Sequence, residues 1–162
     1  MSTERKILVL GGLLLAGFGM LYGLHYALFI EHQTLDGMGA ALTQAFVHAA
    51  EHDVLQGHAS IDSYARLKYT YVRQVDVHSH WIGLAMLLIG LGVVFNQVSF
   101  GPQVRLWLAI ALLTGAIVFP LGVLLQTAMK GPVPSALAVI GSAVITTALL
   151  IIAWGFARQQ TE

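Results

Sequence analysis

VHSHWIGLAMLLIGLGVVFNQVSF, residues 77–100, runs for 24 positions without a charged side chain. An α-helix of about 20 apolar residues is long enough to cross the hydrocarbon core of a bilayer. A soluble helix without charges over this length would lack a polar face towards water. The stretch therefore predicts a membrane-spanning helix.

Three further windows are also free of charged residues, namely Ile7–Ile30, Leu106–Met129 and Gly131–Ala157. The chain has 162 residues, of which 57 % are apolar and 10 % charged, whereas about 25 % are charged in an ordinary soluble domain. We therefore expect an all-α fold, an integral membrane four-helix bundle in a lipid bilayer. We expect one membrane domain over residues 1–162. Its spans are expected at about 7–30, 77–99, 105–128 and 134–157.

Charge and cysteine content exclude several kinds of protein. Eight basic and eight acidic residues balance, so the chain lacks the positive surface that a nucleic-acid partner requires. No cysteine is present, which excludes disulfides, thiolate metal sites and covalent attachment of c-type haem. Seven histidines remain, all between His25 and His80.

The first connection, residues 31–76, is too long for a passive loop. Its apolar side chains at helical spacing predict an extra amphipathic helix, and they are Leu35, Met38, Leu42, Phe46 and Ala49. Gly57 is expected to end this helix and Ser60 to begin another. The second helix stays in phase with the apolar window, so the span is expected to begin outside the membrane.

The positive charges predict an orientation. Four spans place both termini on one side, together with Arg5, Lys6, Arg105 and Arg158. Four other positive residues lie on the opposite side, so the count is tied, but three of them belong to the long connection together with six acidic residues. Positive charges in short segments next to spans have the larger effect and favour the cytoplasmic side. We expect a multi-pass protein of the cytoplasmic (inner) membrane with both termini in the cytoplasm. The histidines then collect at the non-cytoplasmic face.

Three histidines are candidates for cofactor binding: His25, His78 and His80. Residues two apart on a helix point about 200° apart, so His78 and His80 are expected to serve different sites. His80 shares its face with Gly83 and Gly90, which leave room for a flat macrocycle or for close helix packing. An ionisable residue inside a span suggests a functional site, although a neutral histidine can also simply hydrogen-bond a neighbouring helix.

His48, His52 and His58 are candidate metal ligands. The run His48-Ala-Ala-Glu51-His52 matches the reversed zinc-peptidase pattern H-x-x-E-H. Two histidines at i and i+4 on a helix can bind a transition metal, and a solvated helix face gives the same spacing.

The segment Val77–Gly90, with its pattern His78-Ser79-His80, resembles the haem-ligand helix of haem–copper oxidase subunit I. It is also similar to the H-x-H helix of nitric oxide reductases and of related small four-span membrane proteins. The resemblance covers about 20 of 162 residues. It implies that His78 binds one b-type haem and His80 another on the opposite face, or that only one of these sites survives in the smaller bundle. The chain lacks a His-His pair and a span histidine followed at i+4 by tyrosine, so oxygen or nitric oxide reduction is not implied.

Three functional hypotheses follow. The first is a membrane b-type haem-binding protein for electron transfer or redox sensing at the non-cytoplasmic face, with a quinol or another redox subunit as its partner. The second is a non-haem copper, iron or zinc membrane enzyme, or a metal-handling protein, that uses the histidine cluster. The third is a structural subunit of a larger membrane complex, with oligomer contacts through glycine-rich helix faces. The sequence does not decide whether the protein is an enzyme.

Overall fold

The computed structural model describes residues 1–129 and 131–159, which form five α-helices and no strand. The helices are α1 (Thr3–Phe29), α2 (Glu31–Ala50), α3 (Val54–Val94), α4 (Pro102–Ala128) and α5 (Pro132–Gln159). A 3-10 turn, Phe95–Gln97, follows α3. The predicted all-α fold is confirmed.

Four helical segments are long and apolar enough to cross a membrane. They are Thr3–Phe29, Val54–Gln97, Pro102–Ala128 and Pro132–Arg158. Each contains one of the four uncharged windows or most of it. A bilayer core excludes charged side chains and requires a helix of about 20 residues to cross it, so the two properties occur together. The chain is therefore a multi-pass membrane protein, as the sequence predicts.

The third helix, α3, is much longer than one membrane crossing. Its 41 residues extend for about 60 Å, whereas a bilayer core is about 30 Å thick. The prediction that a helix of the connection runs into the second span is confirmed. The predicted boundaries are wrong, because α2 ends at Ala50, and both Gly57 and Ser60 lie inside α3.

The turn between α2 and α3 forms earlier than expected because of two residues. His52 adopts the left-handed conformation, with φ of 57°, which ends the preceding helix. Asp53 Oδ1 then accepts a hydrogen bond from the Gln56 amide at 3.1 Å, as an N-cap does for the first turn of a helix. A short polar side chain at this point thus starts α3 at Val54.

The chain divides into two compact units. We call Met1–Met20 together with Asp76–Glu162 the membrane unit, and Leu21–Val75 the hairpin unit. The expectation of one membrane domain stays a prediction.

Close helix packing in the membrane unit depends on glycines. A Cβ at Gly141 would lie 2.5 Å from the Phe119 amide nitrogen, and one at Gly122 would collide with the Ala138 backbone. On α1, a Cβ at Gly12 would lie 2.9 Å from the Ala85 carbonyl oxygen of α3. Small residues let the backbones of membrane helices approach in this way. Gly12 and Gly19 of α1 thus lie against α3.

Polar groups gather at one end of the membrane unit. Arg5 donates hydrogen bonds from Nε to the Gly92 carbonyl at 2.9 Å and from Nη2 to the Val93 carbonyl at 3.1 Å. These carbonyls belong to the last turn of α3, where they lack partners within the helix. Glu4 is buried and lies 3.5 Å from Arg105 Nε. This end thus joins the start of α1, the end of α3 and the start of α4.

In the hairpin unit, α2 runs antiparallel to the first part of α3. Ala41 and Ala45 are the buried residues of α2. A Cβ at Gly37 would lie 3.3 Å from Leu67 Cδ1, so Gly37 and Leu67 are at the same level of the hairpin. Small side chains on α2 therefore form the contact with α3.

Candidate functional site

His78 and His80 contact different helices of the membrane unit. The Nδ1 atom of His78 lies 3.0 Å from the Gly19 carbonyl oxygen on α1. The His80 ring lies 4.7 Å from the Phe119 ring on α4, measured between centroids. The prediction that the two side chains leave α3 in different directions is confirmed.

The hydrogen bond to Gly19 fixes the proton on the His78 ring. A carbonyl oxygen can only accept, so Nδ1 must carry the hydrogen and donate it. In the neutral ring, the lone pair available to a ligand or metal is then on Nε2. Histidines that bind a metal usually have this arrangement, with the second nitrogen held by a carbonyl or carboxylate. His78 is half-buried.

An apolar groove lies near this part of α3. It has a volume of about 340 Å³, and its walls include Phe18 of α1, Trp81 of α3 and Ile117 of α4. Trp81 is 1 % exposed, and the Phe18 ring meets it edge-on at 4.8 Å. The groove can accept an apolar chain or the edge of a flat apolar ring system. The sequence showed no sign of it, because its walls come from three separate helices.

Gly83 and Gly90 lie on an open face of α3. A Cβ built at either residue would meet no atom within 4 Å. Two interpretations of these glycines follow from the sequence, room for a flat group beside the helix and close packing of another helix. The open space fits the first, and neither glycine packs closely inside the membrane unit. The face is available to a flat group or to another protein.

His25 belongs to the hairpin unit, where it is exposed on α1. Its ring lies 5.4 Å from the Phe29 ring, one turn further along the helix. Since His80 belongs to the membrane unit, joint binding of a cofactor by His25 and His80 stays a prediction.

The structure separates the candidate metal ligands His48 and His52. His48 lies in the last turn of α2, with Nδ1 3.7 Å from Glu51 Oε2. His52 lies beyond the helix in the left-handed turn, so the expected helical i, i+4 pair does not form. His52 and His58 border a second groove, which lies between α2 and α3. Among residues 1–129 and 131–159, no group of three or more histidine, aspartate or glutamate side chains could hold a metal ion.

Two buried polar atoms of the hairpin unit escaped the sequence reasoning. Tyr26 is 6 % exposed, and its hydroxyl has no hydrogen-bond partner; the same holds for the buried Oε1 atom of Gln74. The Tyr26 ring lies 6.4 Å from that of Tyr71, which is three residues before Gln74 on α3. The position of Tyr26 inside an apolar window was the only available signal.

Comparison of the chain with known protein families, with curated proteins and with solved structures found no match.

Proposed function

We propose that this protein binds haem b in the membrane through the histidines of α3, that His78 Nε2 would be one of the atoms that hold it, and that the protein serves electron transfer or redox sensing. The observation that carries the proposal is the hydrogen bond from His78 Nδ1 to the Gly19 carbonyl. In the neutral ring it leaves the lone pair on the other nitrogen, and it limits rotation of the ring, as is usual for a ligating histidine.

The donor atoms that the chain offers support haem rather than a small metal ion. The walls of the apolar groove do not include His78 itself. A b-type haem requires one or two nitrogen ligands and apolar walls, while a structural or catalytic metal ion requires three or four convergent ligands. The described residues offer isolated histidines and an apolar groove beside Trp81, without a three-ligand group. The donor set therefore fits haem, with His80 and His25 as the further candidate ligands.

In this proposal each residue has a separate task. The Gly19 carbonyl holds the proton on Nδ1, and His78 presents its lone pair from Nε2. Apolar side chains such as Trp81 and Phe18 exclude water, and a low-dielectric environment is one of the protein's means to set a redox potential. Bound haem would supply one-electron redox chemistry. A quinol or a redox subunit is the proposed partner.

We propose further that the protein lies in the inner membrane with both termini in the cytoplasm and the histidine-rich connection on the other side. Arg5 and Arg105 meet at one end of the membrane unit, which supports a common side for these positive charges.

The main alternative is a structural subunit of a larger complex. The same His78–Gly19 hydrogen bond would then only join α1 to α3, and the open face at Gly83 and Gly90 would contact a neighbouring protein. The two proposals differ in whether the purified protein contains a chromophore.

The test is the absorption spectrum of the detergent-purified protein, oxidised and reduced with dithionite. We expect a Soret band with sharp reduced α and β bands, and a haem content that His78→Gln lowers strongly. Glutamine can still donate a hydrogen bond to Gly19, so helical content and elution volume should stay unchanged. His32→Ala, which removes an exposed histidine, is the control and should retain the haem.

Rescue by imidazole separates ligation from a structural role. In His78→Gly, added imidazole should restore the spectrum if the side chain ligates the iron. A wild-type protein without a Soret band, or full haem in His78→Gln, would show that the proposal is wrong. Stoichiometric copper, iron or zinc without a chromophore would instead support the non-haem hypothesis.

A further inference from the structure

One face of the hairpin unit is apolar and exposed, and we call it the stripe face. On α2 it carries Leu42 and Phe46, and on α3 it carries Val54 and Ile61. Phe46 is 70 % exposed and Val54 69 %. These four side chains border one groove with a volume of about 460 Å³, so the stripes of the two helices form a single surface.

The spacing along α3 indicates what kind of partner fits the stripe face. Its residues recur at steps of seven, four and three: Val54, Ile61, Ala65, Lys68, Val72 and Val75. This is the seam pattern of a helix that packs against other helices over about three heptads of a coiled coil. A pattern of this kind favours a helical partner over a lipid surface or a small ligand.

A second hairpin of the same kind would complete the packing. In the hairpin unit, the buried residues of α2 are the small Ala41 and Ala45, and larger side chains such as Phe46 remain outside. The end of α1, which also belongs to the hairpin unit, lies with Tyr26 beside Tyr71 of α3, away from the turn between α2 and α3. Near that turn only α2 and α3 are present, and two antiparallel helices bury apolar surface on one side only, whereas four helices enclose a core. A second copy offers the same face, and a two-fold axis lets that face pack on itself.

The charges select the arrangement of the helices. Since Gly37 is at the level of Leu67, α2 carries Asp36 at the level at which α3 carries Lys68, and Glu31 lies about 7.5 Å further along the axis. No ion pair of these three residues is found in the described part of the chain. Two copies in one membrane share their orientation, because α3 continues into an apolar span. Equal levels of the two hairpins therefore meet.

We propose that two copies of the chain dimerise through their stripe faces as a four-helix bundle in which the two hairpins point the same way, with α2 of each copy antiparallel to and beside α3 of the other. This placement brings Lys68 of one copy near Glu31 and Asp36 of the second copy. It also keeps the Lys68 side chains of the two copies apart. Direct packing of α3 on α3 of the second copy would bring these two positive charges together.

The absence of cysteine permits a clean crosslinking test. Phe46→Cys and Ile61→Cys place a single thiol on the stripe face. Val47→Cys and Asp62→Cys are the matched controls, since each is the next residue and points about 100° away on an exposed position. The proteins are treated in native membranes with a bis-maleimide and separated by denaturing electrophoresis.

We expect the stripe-face variants to give a product of twice the chain mass, several-fold more than the controls. Co-expression of a tagged and an untagged copy should give a mixed product. Equal crosslinking at stripe and control positions, a product of any other mass, or a monomer by light scattering in mild detergent would overturn the proposal.

Charge reversal tests the arrangement inside the dimer. Lys68→Glu should lower the dimer fraction, and Glu31→Lys with Asp36→Lys in the same chain should restore it. Helical content measured by circular dichroism shows whether each variant remains folded. An unchanged dimer fraction in folded Lys68→Glu would overturn the placement of α2 beside α3 of the second copy.

Discussion

At the scale of single residues, the hydroxyl of Tyr26 is the least expected feature. It is buried without a hydrogen-bond partner, and Oε1 of Gln74 on α3 is in the same situation. A buried polar group without a partner destabilises a protein by about 1–3 kcal/mol. The two groups offer one donor and one acceptor, and neither contributes a hydrogen bond to the fold.

The first prediction concerns this hydroxyl. Tyr26→Phe should increase the free energy of unfolding by about 1 kcal/mol, because it removes a desolvated hydroxyl and keeps the ring. The midpoint of thermal unfolding in detergent should rise accordingly. Tyr64→Phe is the control, since Tyr64 is only half-buried and its hydroxyl is not among the buried atoms without a partner, so loss of that hydroxyl should not raise the midpoint. A lower midpoint for Tyr26→Phe would mean that the hydroxyl is hydrogen-bonded in solution.

His52 shows how one residue sets an element boundary. Its positive φ ends α2, and the side chain of Asp53 begins α3 directly afterwards. As a result, His48 and His52 do not share a helix face. The motif H-x-x-E-H therefore lacks the helical geometry that binding of zinc by both histidines would require.

At the scale of elements, the crossing of α4 and α5 is the tightest helix contact. Gly141 approaches the backbone of Phe119, and Gly122 that of Ala138. Lipid tails are as apolar as leucine side chains, so close van der Waals contact has to hold these helices together. Glycine permits that contact, although it lowers the intrinsic helix propensity.

The second prediction compares two glycines of the membrane unit. Gly141→Ala should destabilise the protein by about 1–3 kcal/mol, because the new methyl group has to push backbone atoms apart. Gly17→Ala should instead stabilise it by up to about 1 kcal/mol, since a Cβ there meets no atom within 4 Å and alanine favours the helix. Thermal unfolding followed by circular dichroism measures both. Equal effects of the two substitutions would contradict the close crossing.

At the scale of the whole molecule, the distribution of charge matters most. The start of α1, the end of α3 and the start of α4 meet at one end of the membrane unit, where Arg5 and Arg105 lie. The buried Glu4 is paired with Arg105 there, so a carboxylate near the membrane keeps a positive neighbour. Positive residues at one end of a bundle favour its cytoplasmic placement.

The third prediction concerns this orientation. A green fluorescent protein fused after Glu162 should fluoresce in a bacterial host, and alkaline phosphatase at that position should be inactive. The same two reporters inserted in the turn Glu51–Asp53 should give the opposite result. Reversed activities at both sites would show that the termini face the non-cytoplasmic side.

Much of the fold could be predicted because its cause is local. An uncharged window of 24 residues forces a helix in lipid wherever it occurs, so the spans follow from the sequence alone. The run of α3 from the connection into the span was equally visible, since the helical phase continues across residue 76. The turn at His52 was missed because glycine commonly ends a helix and Gly57 was therefore expected to end α2. The chain instead turns at His52, where the side chain of Asp53 caps the next helix.

The candidate site divides in the same way. Helix geometry alone determined that His78 and His80 leave α3 in different directions, since residues two positions apart on a helix point about 200° apart. Only the tertiary structure decided what each side chain meets, namely the Gly19 carbonyl for His78 and the Phe119 ring for His80. The distinction is physical: lipid and helix geometry act on each segment separately. A hydrogen bond over 59 positions of sequence depends on how closely Gly12 and Gly19 let α1 approach α3.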